Sequence, residues 1–91
     1  MPKIDMPGVG RRLEALRLAL DLNRREFSES FGLDPSSYTK TAEGEKSLRT
    51  QHAFAIAERW SVSMDYLFRG RLSDIPDHLR EAILSHLNGQ D

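Results

Sequence analysis

Arg24 and Arg25 stand directly after Asn23, a residue type that caps helices, so both cations fall in the first turn of the helix that Asn23 begins. The helix macrodipole favours anions there, and two arginines oppose it. A neighbouring phosphate would remove the conflict; the competing reading is a solvated pair partly offset by Glu26 and Glu29. Lys46 and Arg49 follow in the same half of the chain and join Arg24 and Arg25 as candidate phosphate ligands. Other chemistry is poorly served. His52, His78 and His86 do not pair with one another at i+3 or i+4, and with no cysteine in the chain no zinc set is completed. Serine, histidine and aspartate are all present, but no nucleophile elbow, Gly-rich phosphate loop or acid/base motif gathers them. The expectation is a protein that is not an enzyme and needs no cofactor.

The elements that must carry these residues all read as helices. Val9, Leu13, Leu16 and Leu20 repeat at spacings of three and four, predicting an amphipathic helix over 8–20 with Arg11, Arg12 and Arg17 off the apolar stripe. A second, short helix runs from Arg24 to about Phe31, carries Phe27 and Phe31 at i and i+4, and is stopped by Gly32. Asp34-Pro35 is the clearest start signal, a carboxylate cap ahead of a proline that loses nothing by lacking an N–H, and predicts a third helix from Pro35 to Ala42 ended by Gly44. A fourth helix over 49–60 places Ala53, Ile56, Ala57 and Trp60 on one face. Ser63 caps a fifth, MDYLFRG, that ends at Gly70; Ile75-Pro76 opens a sixth, closed by Asn88-Gly89. No strands and no repeats are found.

Ninety-one residues, 38% of them apolar, suffice for one compact domain and exclude a multidomain enzyme. The opening residues lack an apolar leader and no later stretch has the length of a membrane span, so a soluble, cytoplasmic protein without membrane contact is expected. The formal net charge is −1, without the basic excess of many nucleic-acid binders. Its distribution is uneven: residues 1–50 hold nine basic and eight acidic side chains, residues 51–91 four and six. Any anion-binding face is therefore local and lies in the first half.

Between Arg24 and Thr41 the order apolar Phe27, small Ser28, apolar Phe31, Gly32, apolar Leu33, apolar Tyr38 is that of a helix-turn-helix. Ser28 must be small where the third helix crosses over it, Gly32 makes the tight turn, and the apolar members pin the two helices at a fixed angle. With its flanks, GRRLEALRLALDLNRREFSESFGLDPSSYTKTAEG and then AIAERWSVSMDYLFRG, the segment 9–70 resembles the phage-repressor/Cro-type (xenobiotic-response-element-like) family. VSMDYLFRG is similar to that family's fifth helix, and Gly44 sits at its turn after the recognition helix. The resemblance implies an all-α fold: a five-helix repressor-like DNA-binding domain with a helix-turn-helix, plus a sixth, C-terminal helix. Residues 1–8 would form an N-terminal arm, 9–70 the domain, and 71–91 a helical extension.

On that resemblance the third helix would lie in the major groove of double-stranded DNA. At about 100° per residue with Tyr38 inward, Ser36, Lys40 and Glu43 point outward, flanked by Ser37 and Thr39. Ser36, Ser37, Thr39 and Lys40 are the base-reading candidates, Lys40 the foremost because an ammonium donates to guanine O6 and N7. Glutamine is common in the family at the position of Arg24, where it contacts backbone phosphate, and arginine keeps that role. Three departures bear on the DNA reading. Ala42 stands where the family usually has a glutamate paired with the arginine at Arg17, leaving Arg17 to reach Asp21, Glu43 or Glu45, or to be released toward phosphate. Thr41 replaces a usual apolar residue, its methyl still able to pack. Asp34 and Glu43 bring negative charge close to the phosphates; Asp34 serves as the cap or accepts from cytosine N4, whereas Glu43 has no such role.

Beyond the resemblance, Ile75, Leu79, Ala82, Ile83, His86 and Leu87 form a stripe on the sixth helix that something must cover. Folding back onto its own domain is one solution; the other is a two-fold contact through Leu79, Ile83, His86 and Leu87, toward which Leu84, off the stripe, tilts the reading. The leading expectation is a sequence-specific transcriptional repressor that binds a pseudo-palindromic operator as a homodimer. The alternative is a helix-turn-helix scaffold for protein–protein interaction, antitoxin-like or transcription-accessory, consistent with the near-zero net charge, Glu43 and Ala42.

Overall fold

The computed structural model describes residues 3–88, and the secondary structure among them is six α-helices with no strand. Helix α1 spans Met6–Ala19 and starts two residues earlier than its apolar stripe indicates, because Asp5 caps it, its Oδ1 accepting from the Gly8 amide at 3.1 Å, with Pro7 in the first turn. The arm expected over 1–8 is correspondingly shortened. Helix α2, Arg24–Ser30, opens on a capping box: the Asn23 side chain accepts from the Glu26 amide at 2.7 Å and the Glu26 carboxylate from the Asn23 amide at 3.0 Å. Helix α3 is Pro35–Ala42, capped by Asp34. Helix α4, Thr50–Trp60, begins at Arg49 without a side-chain cap, and α5, Met64–Arg69, is capped by Ser63 and ended by Gly70 at φ 76°. Helix α6, Asp77–Leu87, ends at Asn88; the Gly89 stop lies outside the described residues.

One core serves all six helices. Val9, Leu13 and Leu16 of α1 meet Phe27, Phe31, Tyr38, Ile56, Tyr66 and Leu67, all buried, and Ile75, Leu79 and Ile83 close the cluster from the other side. Two of the four residues expected at a two-fold contact, Leu79 and Ile83, lie inside this core. Leu79 is 6% and Ile83 0% exposed, and the most extensive helix pairing in the molecule is that of α1 with α6. Their side chains are consumed by the intramolecular core and are not offered to a second copy. His86 and Leu87, at the end of α6, are half-buried and line a groove of about 240 Å³ with Arg11, Ala15, Leu18 and Ala42.

Two arginines, Arg12 of α1 and Arg80 of α6, fasten helix ends and turns. Arg12 donates through Nε to the Leu67 carbonyl at 2.9 Å and through Nη2 to the Phe68 carbonyl at 3.1 Å, while the Tyr66 hydroxyl donates back to the Arg12 carbonyl at 2.6 Å. Arg80 donates to the carbonyls of Leu72 and Ile75 and to Asp77, pinning the strap between α5 and α6. Arg12 meets carbonyls at the end of α5, and Arg80 adds a second donor to the Leu72 carbonyl, which also accepts from the Ile75 amide at 3.2 Å.

Candidate nucleic-acid interface

The turn between α2 and α3 is made by Gly32 at φ 84°, a conformation that costs a residue with a Cβ. The Leu33 amide reaches back to the Ser28 carbonyl at 3.0 Å and so closes the end of α2. Ser28 is fully buried, and its hydroxyl is satisfied by the Arg25 carbonyl at 3.1 Å. Phe27, Phe31 and Tyr38 pack edge to face at centroid distances of 5.2 to 6.2 Å, fixing the angle between the two helices from below. Thr41 is 3% exposed; its hydroxyl donates to the Ser37 carbonyl at 3.0 Å, so its methyl packs without leaving a polar atom unpartnered.

With Tyr38 inward, the exposed residues of α3 and its end are Ser36, Lys40 and Glu43, while Ser37 and Thr39 are half-buried on the flanks. The Lys40 carbonyl accepts from the amides of Glu45 and Lys46 at 2.8 and 3.3 Å, which folds the chain past Gly44 and sets Lys46 beside α3. Lys46 and Arg49 then line a small cavity of about 30 Å³ with Ser37, Thr41 and His52, so the loop cations and the flank of α3 form one surface. Among the described residues no ion pair engages Lys40, Lys46 or Arg49. At the other end of α3, Asp34 accepts from the Ser36 hydroxyl at 2.7 Å and from the Ser37 amide at 3.0 Å. These bonds, that from Ser36 foremost, hold its carboxyl well below the usual carboxylate range.

Arg24 and Arg25 differ in environment. Arg25 is mostly exposed and pairs with Glu29 at 3.2 Å, as the solvated reading of the pair anticipates. Arg24 turns toward α1, where its Nη2 and Nε donate to Glu14 Oε1 at 3.2 and 3.4 Å. The Arg17 guanidinium meets the same carboxylate with two bonds, Nη2 to Oε1 at 2.9 Å and Nε to Oε2 at 3.0 Å, and donates through Nη1 to the Leu22 carbonyl at 2.8 Å. The Tyr38 hydroxyl completes the set, donating to Glu14 Oε2 at 2.6 Å. Arg17 thus reaches none of Asp21, Glu43 or Glu45, nor is it released; a carboxylate one turn earlier on its own helix takes it.

Glu14 is the residue the sequence reading missed, and it joins α1, α2 and α3 at one point. Burial would raise its carboxyl, but the hydrogen bonds from Arg17 and Tyr38, with the charges of Arg17 and Arg24, outweigh burial and bring it below its ordinary 4.5. Burial, reinforced by the bond to Glu14, pushes the Tyr38 phenol far above its ordinary 10.0, so the hydroxyl stays a donor. The available sequence signal was the i, i+3 spacing of Glu14 and Arg17; nothing local announces Arg24 or Tyr38 as partners. Of the histidines, His52 stacks edge-on against Phe31 at 6.1 Å, His86 lines the α1–α6 groove and His78 is exposed.

Comparison of the chain with protein-family models, with curated proteins and with solved structures gave no match.

Proposed function

We propose that this protein is a sequence-specific DNA-binding regulator of the helix-turn-helix kind, acting as a repressor by occupying an operator in double-stranded DNA. The observation that carries this reading is the surface around α3. Ser36 and Lys40 project from it, Lys46 and Arg49 flank it, and no acidic partner neutralises the three cations within the described residues. An exposed helix with hydroxyl and ammonium groups toward base edges and loop cations toward phosphates is what major-groove docking requires. The net charge of −1 does not oppose it, because phosphate attraction is set by the cations near the backbone. Arg24, 39% exposed and held by Glu14 in the first turn of α2, is a further candidate phosphate donor.

Binding as a homodimer would use a face other than Leu79 and Ile83. Recognition helices related by a two-fold axis would then read half-sites about 34 Å apart. A second reading, a scaffold for protein–protein interaction, draws on Phe54, which is 58% exposed on α4. Selection from a random duplex pool at two salt concentrations separates the two. Recovery of one palindromic motif with affinity falling steeply in salt supports the regulator; no enrichment and negligible retention at low salt sinks it in favour of the scaffold.

A further inference from the structure

The outward face of α3 is not uniform in hydrogen-bonding sense. The Ser36 hydroxyl spends its proton on Asp34 Oδ2 at 2.7 Å, so toward solvent Ser36 Oγ presents lone pairs only. The Ser37 amide ends on the same Oδ2 at 3.0 Å and the Ser37 side chain also acts on this carboxylate, which is exposed and keeps lone pairs for a ligand. Four residues beyond Ser36, on the same face, Lys40 carries three N–H donors with no ion-pair partner among the described residues. The N-terminal end of the face accepts and Lys40, further along it, donates, with the exposed Glu43 carboxylate beyond at the C-terminal end.

We propose that α3 reads its operator through this polarity: Asp34 and Ser36 accept from the exocyclic amino group of adenine or cytosine on the contacted strand, and Lys40 donates to a guanine nearby. The inference rests on the DNA reading above and gives it a base pattern. Guanine O6 and thymine O4 are acceptors and would face the Asp34 and Ser36 lone pairs unpaired, so a keto base is rejected at that position. Ser36 and Lys40 are separated by about 6 Å of helix rise. With base steps of about 3.4 Å along a strand, the amino-bearing base and the guanine stand one to two steps apart.

The sharpest test is Asp34→Asn. Asparagine caps a helix as well as aspartate, so its oxygen keeps the Ser36 and Ser37 bonds while its NH₂ takes the place of Oδ1. Motifs selected from random duplex pools by the wild type and the variant are compared as base preferences within each protein, which cancels the change in net charge. The wild type is expected to favour adenine or cytosine at the contacted position by about tenfold, and the variant to favour guanine or thymine. A second measurement needs no variant: replacing that adenine by purine, or that cytosine by 2-pyrimidinone, deletes only the amino group and is expected to weaken wild-type binding about tenfold. A motif identical for both proteins, or amino deletion without effect, overturns the proposal while leaving DNA binding intact. Failure of the wild type to enrich any duplex overturns the DNA reading and this inference together.

Discussion

The side chains of Lys40 and Arg24 are held in different ways, and that difference sorts their expected effects in the proposed DNA complex. Lys40 is exposed, with no ion pair among the described residues, and belongs to the outward face of α3; replacing it with alanine is expected to relax base preference while leaving the salt dependence nearly intact. Arg24 is tied to Glu14 of α1, and Arg24→Ala is expected to weaken all sequences alike and lower the log–log salt slope by about one. Titrations on matched and mismatched duplexes over a salt series check both; wild-type behaviour of both variants would remove these residues from the interface. Glu14 also predicts a pH dependence of folding. Its folded carboxyl titrates below 4.5, so its contribution to stability is complete above that value and is lost as the pH falls through the lower folded value. Tyr38 works in the opposite direction: its folded phenol ionises above 10.0, so stability declines as the pH rises beyond 10.0. Urea denaturation at stepped pH should show a shallower acid limb in Glu14→Gln than in the wild type; an unchanged limb would mean that Glu14 is not depressed.

At the scale of elements, the crossing of α1 with the end of α3 decides how the outward face is presented, and it depends on a missing side chain. A Cβ on Gly10 would meet the backbone of α3, at 2.7 Å from the Ala42 carbonyl carbon and 2.9 Å from the Thr41 carbonyl oxygen. Backbone cannot swing aside as a flexible side chain can, so the helices must part. The intrinsic gain of alanine over glycine in a helix, about 1 kcal/mol, is outweighed by overpacking of about 1–3 kcal/mol. Gly10→Ala is therefore expected to lower the unfolding free energy by up to about 2 kcal/mol and to depress the melting temperature; a more stable variant would show that the approach is looser than described. The same contact makes sense of Ala42. Where α1 comes this close, a small residue suits the end of α3, and the carboxylate that holds Arg17 is supplied by α1 itself through Glu14.

For the whole molecule, α6 is the element whose partner matters most. Packed on α1, it supplies Ile75, Leu79 and Ile83 to the shared core, so it stabilises the domain that carries α3. Ile83→Ala leaves a cavity at a fully buried site and is expected to cost about 2–5 kcal/mol in urea or thermal unfolding. Sedimentation of the same variant should show the wild-type oligomeric state. A change of state with little loss of stability would instead place Ile83 between subunits.

Much of this architecture was legible locally. Asn23, Asp34-Pro35, Ser63, Gly32, Gly44 and Gly70 act through their own backbone and a neighbour's, so α2, α3 and α5 start and stop within a residue or so of where cap and glycine place them. The apolar periodicity likewise names the buried face of α1 and the inward Tyr38, because burial repeats with the helical turn. What tertiary structure alone decided are contacts between residues distant in the chain. The gathering of Glu14, Arg17, Arg24 and Tyr38 needs three helices to cross at one carboxylate, and the types of four separate residues say nothing about that crossing. The partner of α6 was open for the same reason: an apolar stripe states that something must cover it, and only packing in three dimensions shows that α1 does.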